Sequence, residues 1–172
     1  MDAEKRNPTM TVAELFQLAN LSPSGPVQWG TDPPTDPSEL SPGVYVVARV
    51  GSPIEACNPC ELPLQDTHEV DLNYERKRWL PCEPIVYVGK TDRSIRKRVA
   101  EFRRQKCGEQ GPHHGGQVIK LLQCNLWVYW SPADDPLGAE FDMLCGFKRH
   151  AGQLPFGNEY QGGNQKRIRV SK

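Results

Sequence analysis

Two short runs of β-branched and aromatic residues limit most strongly how this chain can fold. They are GVYVVARV, which begins at Gly43, and PIVYVG, which ends at Gly89. Such residues favour strands, in which successive side chains point to opposite faces of a sheet. The first run therefore predicts a strand with Tyr45 and Val47 on one face. The second predicts a strand with Tyr87 facing away from both of its valine neighbours.

The other elements follow from periodicity and from capping signals. A stripe of Ile95, Val99 and Phe102 predicts an amphipathic helix that Asp92 or Ser94 caps. Shorter patterns predict three more helices and a third strand; these are the helices TVAELFQLAN, QVIKLLQ and PLGAEFDMLCGFKRH, and the strand LWVYW. The set predicts an α+β fold with a small three-stranded antiparallel sheet flanked by helices.

The chain of 172 residues is long enough for one domain with its own core. Residues 1–40 are expected to hold an N-terminal helix and a proline-rich loop, residues 41–160 the main domain, and residues 161–172 a basic flexible tail. Residues 51–83 contain four prolines and three cysteines. We interpret them as an insertion that loops out between the first two strands.

The sequence predicts neither a membrane span nor a secretory leader. No apolar run approaches the roughly 20 residues that a membrane helix needs. The start, MDAEKRNPTM, has no apolar core. We therefore expect a cytoplasmic protein without a membrane partner.

Charge is balanced over the chain but unevenly distributed. The formal net charge is zero, yet residues 90–106 contain eight basic and two acidic residues, and residues 51–75 contain six acidic residues and no Lys or Arg. A basic face suits a polyanion, although a solvated helix face would have the same composition. The basic residues expected to contact nucleic acid are Lys90, Arg93, Arg96, Lys97, Arg103 and Arg104.

Two charged residues lie at the borders of apolar helix faces. Arg98 is at the edge of its helix stripe, where a guanidinium could bind phosphate with two hydrogen bonds or simply extend to solvent. Glu140 flanks the apolar side of the last helix. A carboxylate there could be a ligand for Mg²⁺ or could pair with an arginine. In the simplest interpretation Tyr45 and Tyr87 only pack in the core. They take part in chemistry if they lie beside Arg98 and Glu140.

The insertion contains residues with the chemistry of zinc ligands. Cys57 and Cys60 form a C-x-x-C pair, and His68 and Cys82 follow. Thiolates and imidazoles are the ligands of structural zinc sites. The alternative is a set of ordinary reduced cysteines.

Five elements in order along residues 43–158 resemble the signature of the GIY-YIG nuclease superfamily: GVY at 43–45, YVG at 87–89, Arg98, Glu140 and Asn158. In that family the two tripeptides lie on adjacent strands, and an arginine follows on the next helix. A glutamate then lies on a later helix, and an asparagine follows a Pro-aromatic turn. Here Arg98 lies nine residues after Gly89, and Asn158 follows the sequence PFG.

The resemblance implies a metal-dependent endonuclease that hydrolyses phosphodiester bonds of nucleic acid, with double-stranded DNA as the expected partner. It implies that Glu140 holds one Mg²⁺ or Mn²⁺ ion and that Asn158 fixes the geometry. Lys90 would contact a neighbouring phosphate. Restriction, repair and element mobility are all compatible roles, and a long target would require a homodimer or a specificity partner.

The resemblance also implies how proton transfer and charge stabilisation are shared. Tyr45 would help to deprotonate the attacking water, together with His113 or His114. Arg98 and Tyr87 would stabilise the phosphate in the transition state.

Phe102 stands where many members of the family have a His or a Tyr. This substitution leaves two alternatives open. The first is a catalytically weak member of the same fold that only binds nucleic acid. The second is a protein-interaction module that uses the acidic insertion.

Overall fold

The computed structural model describes residues 9–30, 40–64, 70–105 and 117–159. In chain order its elements are α1 (Val12–Gln17), β1 (Ser24–Gln28), β2 (Gly43–Ala48), α2 (Leu72–Arg78), β3 (Ile85–Thr91), α3 (Ile95–Arg104), a 3₁₀ helix (Gln117–Leu121), β4 (Trp127–Pro132) and α4 (Pro136–Ala151). The strands pair antiparallel in the order β1-β4-β2-β3. The α+β class is confirmed, but the sheet in this part of the chain has four strands and not the expected three.

Two elements were not predicted. Strand β1 lies in a segment expected to be a loop, where it pairs with β4 from Ser24 opposite Trp130 to Gln28 opposite Trp127. Its proline is tolerated because an edge strand needs hydrogen bonds on one side only. Helix α2 lies inside the insertion, and the carboxylate of Asp71 caps it by accepting hydrogen bonds from two backbone N–H groups.

Strand β2 is buried on both faces, which divides the core into two layers. Val44, Val46 and Ala48 pack on the side of α1 and α4. Tyr45 and Val47 pack on the side of α3 and the 3₁₀ helix. The predicted alternation of β2 is therefore confirmed, and the sheet separates two groups of helices.

Strand β3 contains an irregularity that changes one predicted orientation. Val47 is opposite Tyr87, whereas Ala48 is opposite Ile85, so that Val86 is the extra residue of a bulge. Val86 and Tyr87 consequently both lie on the α3 side of the sheet, and Val88 lies on the other. The expectation that Tyr87 faces away from both valines is wrong for Val86.

The predicted helices around the site are confirmed, with their caps. The hydroxyl of Ser94 caps α3, and Ile95, Val99 and Phe102 are its buried residues. Helix α4 ends at Gly152, whose φ of 83° is the left-handed conformation that glycine adopts readily. No helix within the described residues is long and apolar enough to cross a membrane.

The described parts of the insertion, residues 51–64 and 70–83, pack against the domain and do not loop out from it. Trp79 is buried on the α3 side of the sheet and contacts Phe156 edge to face, with 5.2 Å between ring centroids. Leu64 forms an isolated antiparallel bridge with Leu122. This packing is possible because Trp79 and Leu64 give the proline-rich segment an apolar side.

The contact between Gly89 and Tyr45 is the first testable feature. A Cβ atom at Gly89 would lie 2.4 Å from Cζ of Tyr45 and 2.6 Å from its hydroxyl oxygen. We predict that Gly89→Ala lowers the free energy of unfolding by about 1–3 kcal/mol, because overpacking a filled core has this cost. Chemical denaturation measures the change.

A double-mutant cycle identifies the cause. In a Tyr45→Leu background the colliding ring atoms are gone, so Gly89→Ala should cost clearly less. Gly51→Ala is the control, since Gly51 is exposed and its nearest atom, in Trp127, lies 3.2 Å away from the added Cβ. Equal costs of Gly89→Ala in the two backgrounds would show that the tyrosine is not responsible.

Candidate active site

A cleft of about 440 Å³ lies beside the edge strand β3, and its lining residues are Tyr87, Lys90, Thr91, Asp92, Arg93, Arg98 and Glu140. Helix α3 packs on one face of the sheet and α4 on the other, and both contact β3. Arg98 therefore reaches the cleft from one face and Glu140 from the other. The structure thus brings together Tyr87, Arg98 and Glu140, which are far apart in the sequence, with two further basic residues.

Tyr45 lies behind this cleft and does not line it. Its side chain is fully buried, and its ring centroid is 6.0 Å from that of Tyr87. The hydroxyl is enclosed and makes no hydrogen bond of regular geometry. Burial raises the pKa of Tyr45, while the neighbouring Arg98 and Tyr87 act in the opposite direction. Tyr45 is therefore a neutral phenol near neutral pH.

Tyr87 is also a neutral phenol, and unlike Tyr45 it lines the cleft. Burial raises its pKa well above the usual value, and the nearby Tyr45 and Glu140 raise it further, while Arg98 lowers it. Tyr87 is thus a neutral hydroxyl at the wall of a cleft that also holds a guanidinium. Such a hydroxyl can donate a hydrogen bond to an anion without adding negative charge.

Phe102 fills the space beneath Tyr87. It is fully buried and stacks on the Tyr87 ring, with centroids 5.1 Å apart and planes inclined by 25°. The Tyr45 ring is 6.4 Å from it, and Trp29 contacts it edge to face at 5.6 Å. Phe102, which stands where the sequence resemblance expects a polar residue, is therefore part of an aromatic layer that supports Tyr87.

Asn158 holds the open edge of β3. Its side-chain amide accepts a hydrogen bond from the Val88 N–H at 2.9 Å and donates one to the Val88 carbonyl at 2.8 Å. The Gly157 N–H donates to the Val86 carbonyl at 2.7 Å. The turn before Asn158 thus pairs with the backbone on both sides of Tyr87. Asn158 does not line the cleft, so its contribution is to position β3.

Arg78 was not identified from the sequence, yet it holds this turn in place. One of its terminal nitrogens donates to the carbonyls of Phe156 at 2.6 Å and Asn158 at 3.0 Å. Gln153 donates to the Arg78 carbonyl at 3.0 Å, and Glu75 pairs with its guanidinium at 3.4 Å. Arg78 lies in a run of basic residues that looks like an exposed helix end, so the sequence offers no signal for this role.

The other predicted basic residues lie near the end of β3, in the turn that follows it and along α3. Lys90 pairs with Asp92 at 3.0 Å, and Arg93 with Glu101 at 2.9 Å. Exposed pairs of this kind contribute about 0–1 kcal/mol and are easily exchanged for other partners. The remaining members of the predicted set follow on the helix; they are Arg96, Lys97, Arg103 and Arg104.

Three predicted residues, His68, His113 and His114, lie outside the described residues. Within the described part of the chain, no three His, Cys, Asp or Glu side chains form a group that could hold a metal ion as they stand. Two carboxylates line the cleft, those of Asp92 and Glu140, and Mg²⁺ is often held by one or two carboxylates together with water and substrate phosphate.

Comparison with known proteins finds no match: no family model, curated protein or solved structure matches this chain. The interpretation of the cleft therefore depends on its own geometry and on the residue types that it collects.

We predict that Asn158→Ala releases the β3 edge. The change leaves two buried backbone groups of Val88 without partners, at a cost of about 1–3 kcal/mol for each. Native-state hydrogen exchange of the Val88 amide should become faster. Gln153→Ala removes a hydrogen bond from the same turn without touching Val88, and it serves as the control. Unchanged exchange at Val88 in Asn158→Ala would contradict this assignment.

Proposed function

We propose that this protein is a metal-dependent endonuclease of the GIY-YIG type that hydrolyses phosphodiester bonds, with double-stranded DNA as the substrate. The observation that supports this most directly is the cleft beside β3. It contains a guanidinium, a neutral tyrosine hydroxyl and a carboxylate, which come from three separate elements. These groups are the ones that phosphate hydrolysis needs: two to bind the phosphate and one to hold a cation.

Phosphate binding is the part of the reaction that Arg98 and Tyr87 would perform. The guanidinium can form two parallel hydrogen bonds to phosphate oxygens, which fixes orientation as well as charge. The Tyr87 hydroxyl would donate a third, and its raised pKa keeps it protonated for this purpose. Both donors are held in place before substrate arrives, so their interaction with the transition state costs little reorganisation.

Glu140 is the residue that would hold a divalent cation. It lines the same cleft as Arg98 and Tyr87, and a phosphate oxygen and water would complete the coordination of an ion there. A bound Mg²⁺ or Mn²⁺ ion would neutralise charge on the leaving oxygen.

The attacking water must lose a proton, and Tyr45 is poorly suited to accept it. Its hydroxyl is fully enclosed and its raised pKa favours the neutral phenol. We therefore assign the base to His113 or His114, whose ordinary pKa of about 6.5 suits proton transfer near neutral pH. Tyr45 would instead support Tyr87 from behind.

The basic surface of α3 is the expected path of the nucleic acid. Lys90 and Arg93 line the cleft itself, and Lys97 and Arg104 are exposed farther along. Phosphate contacts of this kind supply most of the affinity of non-specific DNA binding.

The second candidate function is binding without cleavage. Phe102 favours it, because this residue is buried in the aromatic layer and cannot act as an acid or base. The two functions differ in whether the wild-type protein cleaves DNA, which the following experiment decides.

We predict that Glu140→Gln abolishes cleavage of supercoiled plasmid in Mg²⁺ and leaves DNA binding within about twofold of the wild type. Asp142→Asn is the matched control, since Asp142 is exposed on the same helix and should leave cleavage unchanged. Tyr87→Phe should reduce cleavage by about 10²–10³-fold, the usual cost of one transition-state donor. Binding without cleavage by the wild type would establish the second function, and full cleavage by Glu140→Gln would remove Glu140 from the site.

We also predict that changing Arg96, Lys97 and Arg104 together to Ser weakens DNA binding and reduces its salt dependence. The slope of log K against log salt should fall by roughly one unit for each phosphate that is no longer neutralised. The control changes Lys148 and Arg149, which are exposed on α4, to Ser. If the slope falls equally in both variants, the surface of α3 is not the part of the protein that contacts the DNA.

A further inference from the structure

Helix α2 carries an aromatic ring on its exposed surface. Tyr74 is 52% exposed, whereas Glu75 beside it is buried. Arg76 and Lys77 follow on the same short helix and are exposed as well. A ring with half of its surface in water contributes little to the core. The apolar surface of Tyr74 is therefore available to a ligand.

Contacts with Arg78 hold the Tyr74 ring in place. The two side chains lie four residues apart and are therefore neighbours on the helix surface. The guanidinium carbon of Arg78 lies over the Tyr74 ring, at 5.3 Å from its centroid. The same guanidinium is 5.8 Å from the Phe156 ring centroid and donates hydrogen bonds to the carbonyls of Phe156 and Asn158. A ring that is ordered in this way loses less conformational freedom when it binds a ligand.

The turn that Arg78 holds connects α2 to the cleft. The Asn158 side chain in this turn bonds to the backbone of Val88, and the neighbouring residue Tyr87 lines the cleft. Trp79, which follows α2, packs on the α3 side of the sheet. The end of α2 and the basic helix α3 therefore lie on one side of the sheet, beside the same edge strand. A nucleic acid bound in the cleft and on α3 can extend to α2.

Two positive charges at the end of α2 are available to phosphates. Within the described part of the chain, Arg76 and Lys77 have no ion-pair partner. Three carboxylates lie nearby; they belong to Asp71, Glu75 and Glu159. The first caps the start of the helix, the second pairs with Arg78, and the third is exposed. Basic residues at the end of a helix also interact favourably with its dipole, but this effect does not account for the exposed aromatic ring.

We propose that α2 binds a single-stranded segment of the DNA, with Tyr74 stacked on one unpaired base and with Arg76 and Lys77 on phosphates. This assignment rests on the proposed function, because it takes the DNA to lie in the neighbouring cleft. Aromatic rings beside cations bind single strands of any sequence, since every base has an aromatic face. In a duplex both faces of a base are covered by its neighbours, so the ring selects an unpaired base. The preferred substrate is then a duplex that continues into a single strand.

The test measures how tightly the full-length chain binds two DNAs in the presence of a chelator, which prevents metal-dependent cleavage. One is a blunt duplex, and the other is the same duplex with a single-stranded oligothymidine extension. The wild type should bind the extended duplex more tightly. Tyr74→Ala should lower the affinity for the extended duplex by about 5–100-fold, the usual cost of one lost base stack, and should leave the affinity for the blunt duplex unchanged. Tyr74→Phe should retain the preference, because a phenyl ring also stacks.

Two further variants identify the ring as the cause. Ile54→Ala is the matched control, since Ile54 is an exposed apolar residue of the same insertion, and it should leave both affinities unchanged. Tyr74→Leu keeps an apolar side chain without a ring, and it should bind the extended duplex as weakly as Tyr74→Ala does. The proposal is overturned if the wild type binds the two duplexes equally, or if Tyr74→Leu binds the extended duplex as tightly as the wild type.

Binding in chelator is independent of cleavage, so the two proposals can fail separately. If the wild type does not cleave plasmid in Mg²⁺ but prefers the extended duplex through Tyr74, the nuclease function is wrong and the role of α2 stands. If the wild type cleaves plasmid but binds the two duplexes equally, only the role of α2 is wrong.

Discussion

The packing of the Tyr45 phenol on the Cα of Gly89 determines where the rest of the candidate site can lie. Any side chain at Gly89 would collide with the ring, at 2.4 Å from its Cζ, so the two adjacent strands approach closely only with this pair of residues. The buried phenol and Phe102 then form a layer that supports the Tyr87 ring. Tyr87 is thereby held at the wall of the cleft. A glycine and two aromatic rings thus set the position of a polar group.

The edge position of β3 explains why residues from both faces of the sheet can meet. A central strand would separate α3 from α4, whereas beside the last strand Arg98 and Glu140 approach one another around its edge. An open edge has unpaired backbone groups, and here the Asn158 side chain and the Gly157 N–H bond to them. Arg78, from the insertion, bonds to the carbonyls of the same turn. The segment between Tyr45 and Tyr87 therefore helps, through Arg78, to hold Tyr87 in place.

Side-chain patterns predicted the elements that have an apolar face of their own. The alternation of β2, the stripe of α3 and the glycine that ends α4 follow from local chemistry, and the structure confirms each. Strand β1 has no such face: its sequence, SGPVQ, becomes a strand because β4 offers it backbone partners. The bulge at Val86 is equally invisible, since only the pairing with β2 reveals the extra residue. Of the cleft residues, the resemblance predicted Tyr87, Arg98 and Glu140, because they belong to a known pattern. It could not predict Arg78, whose role depends on where the insertion packs.

The protonation of the two tyrosines follows from the same burial that orders them. Ionising either phenol would place a negative charge in a region of low polarity beside Glu140, and the pKa values of both are raised accordingly. The positive charges of Lys90, Arg93 and Arg98 at the cleft are therefore not cancelled from within by a phenolate. The carboxylates of Asp92 and Glu140 line the same cleft, and Asp92 and Glu101 pair with Lys90 and Arg93. A cation bound at Glu140 would offset that carboxylate and so strengthen the attraction of the cleft for a phosphate.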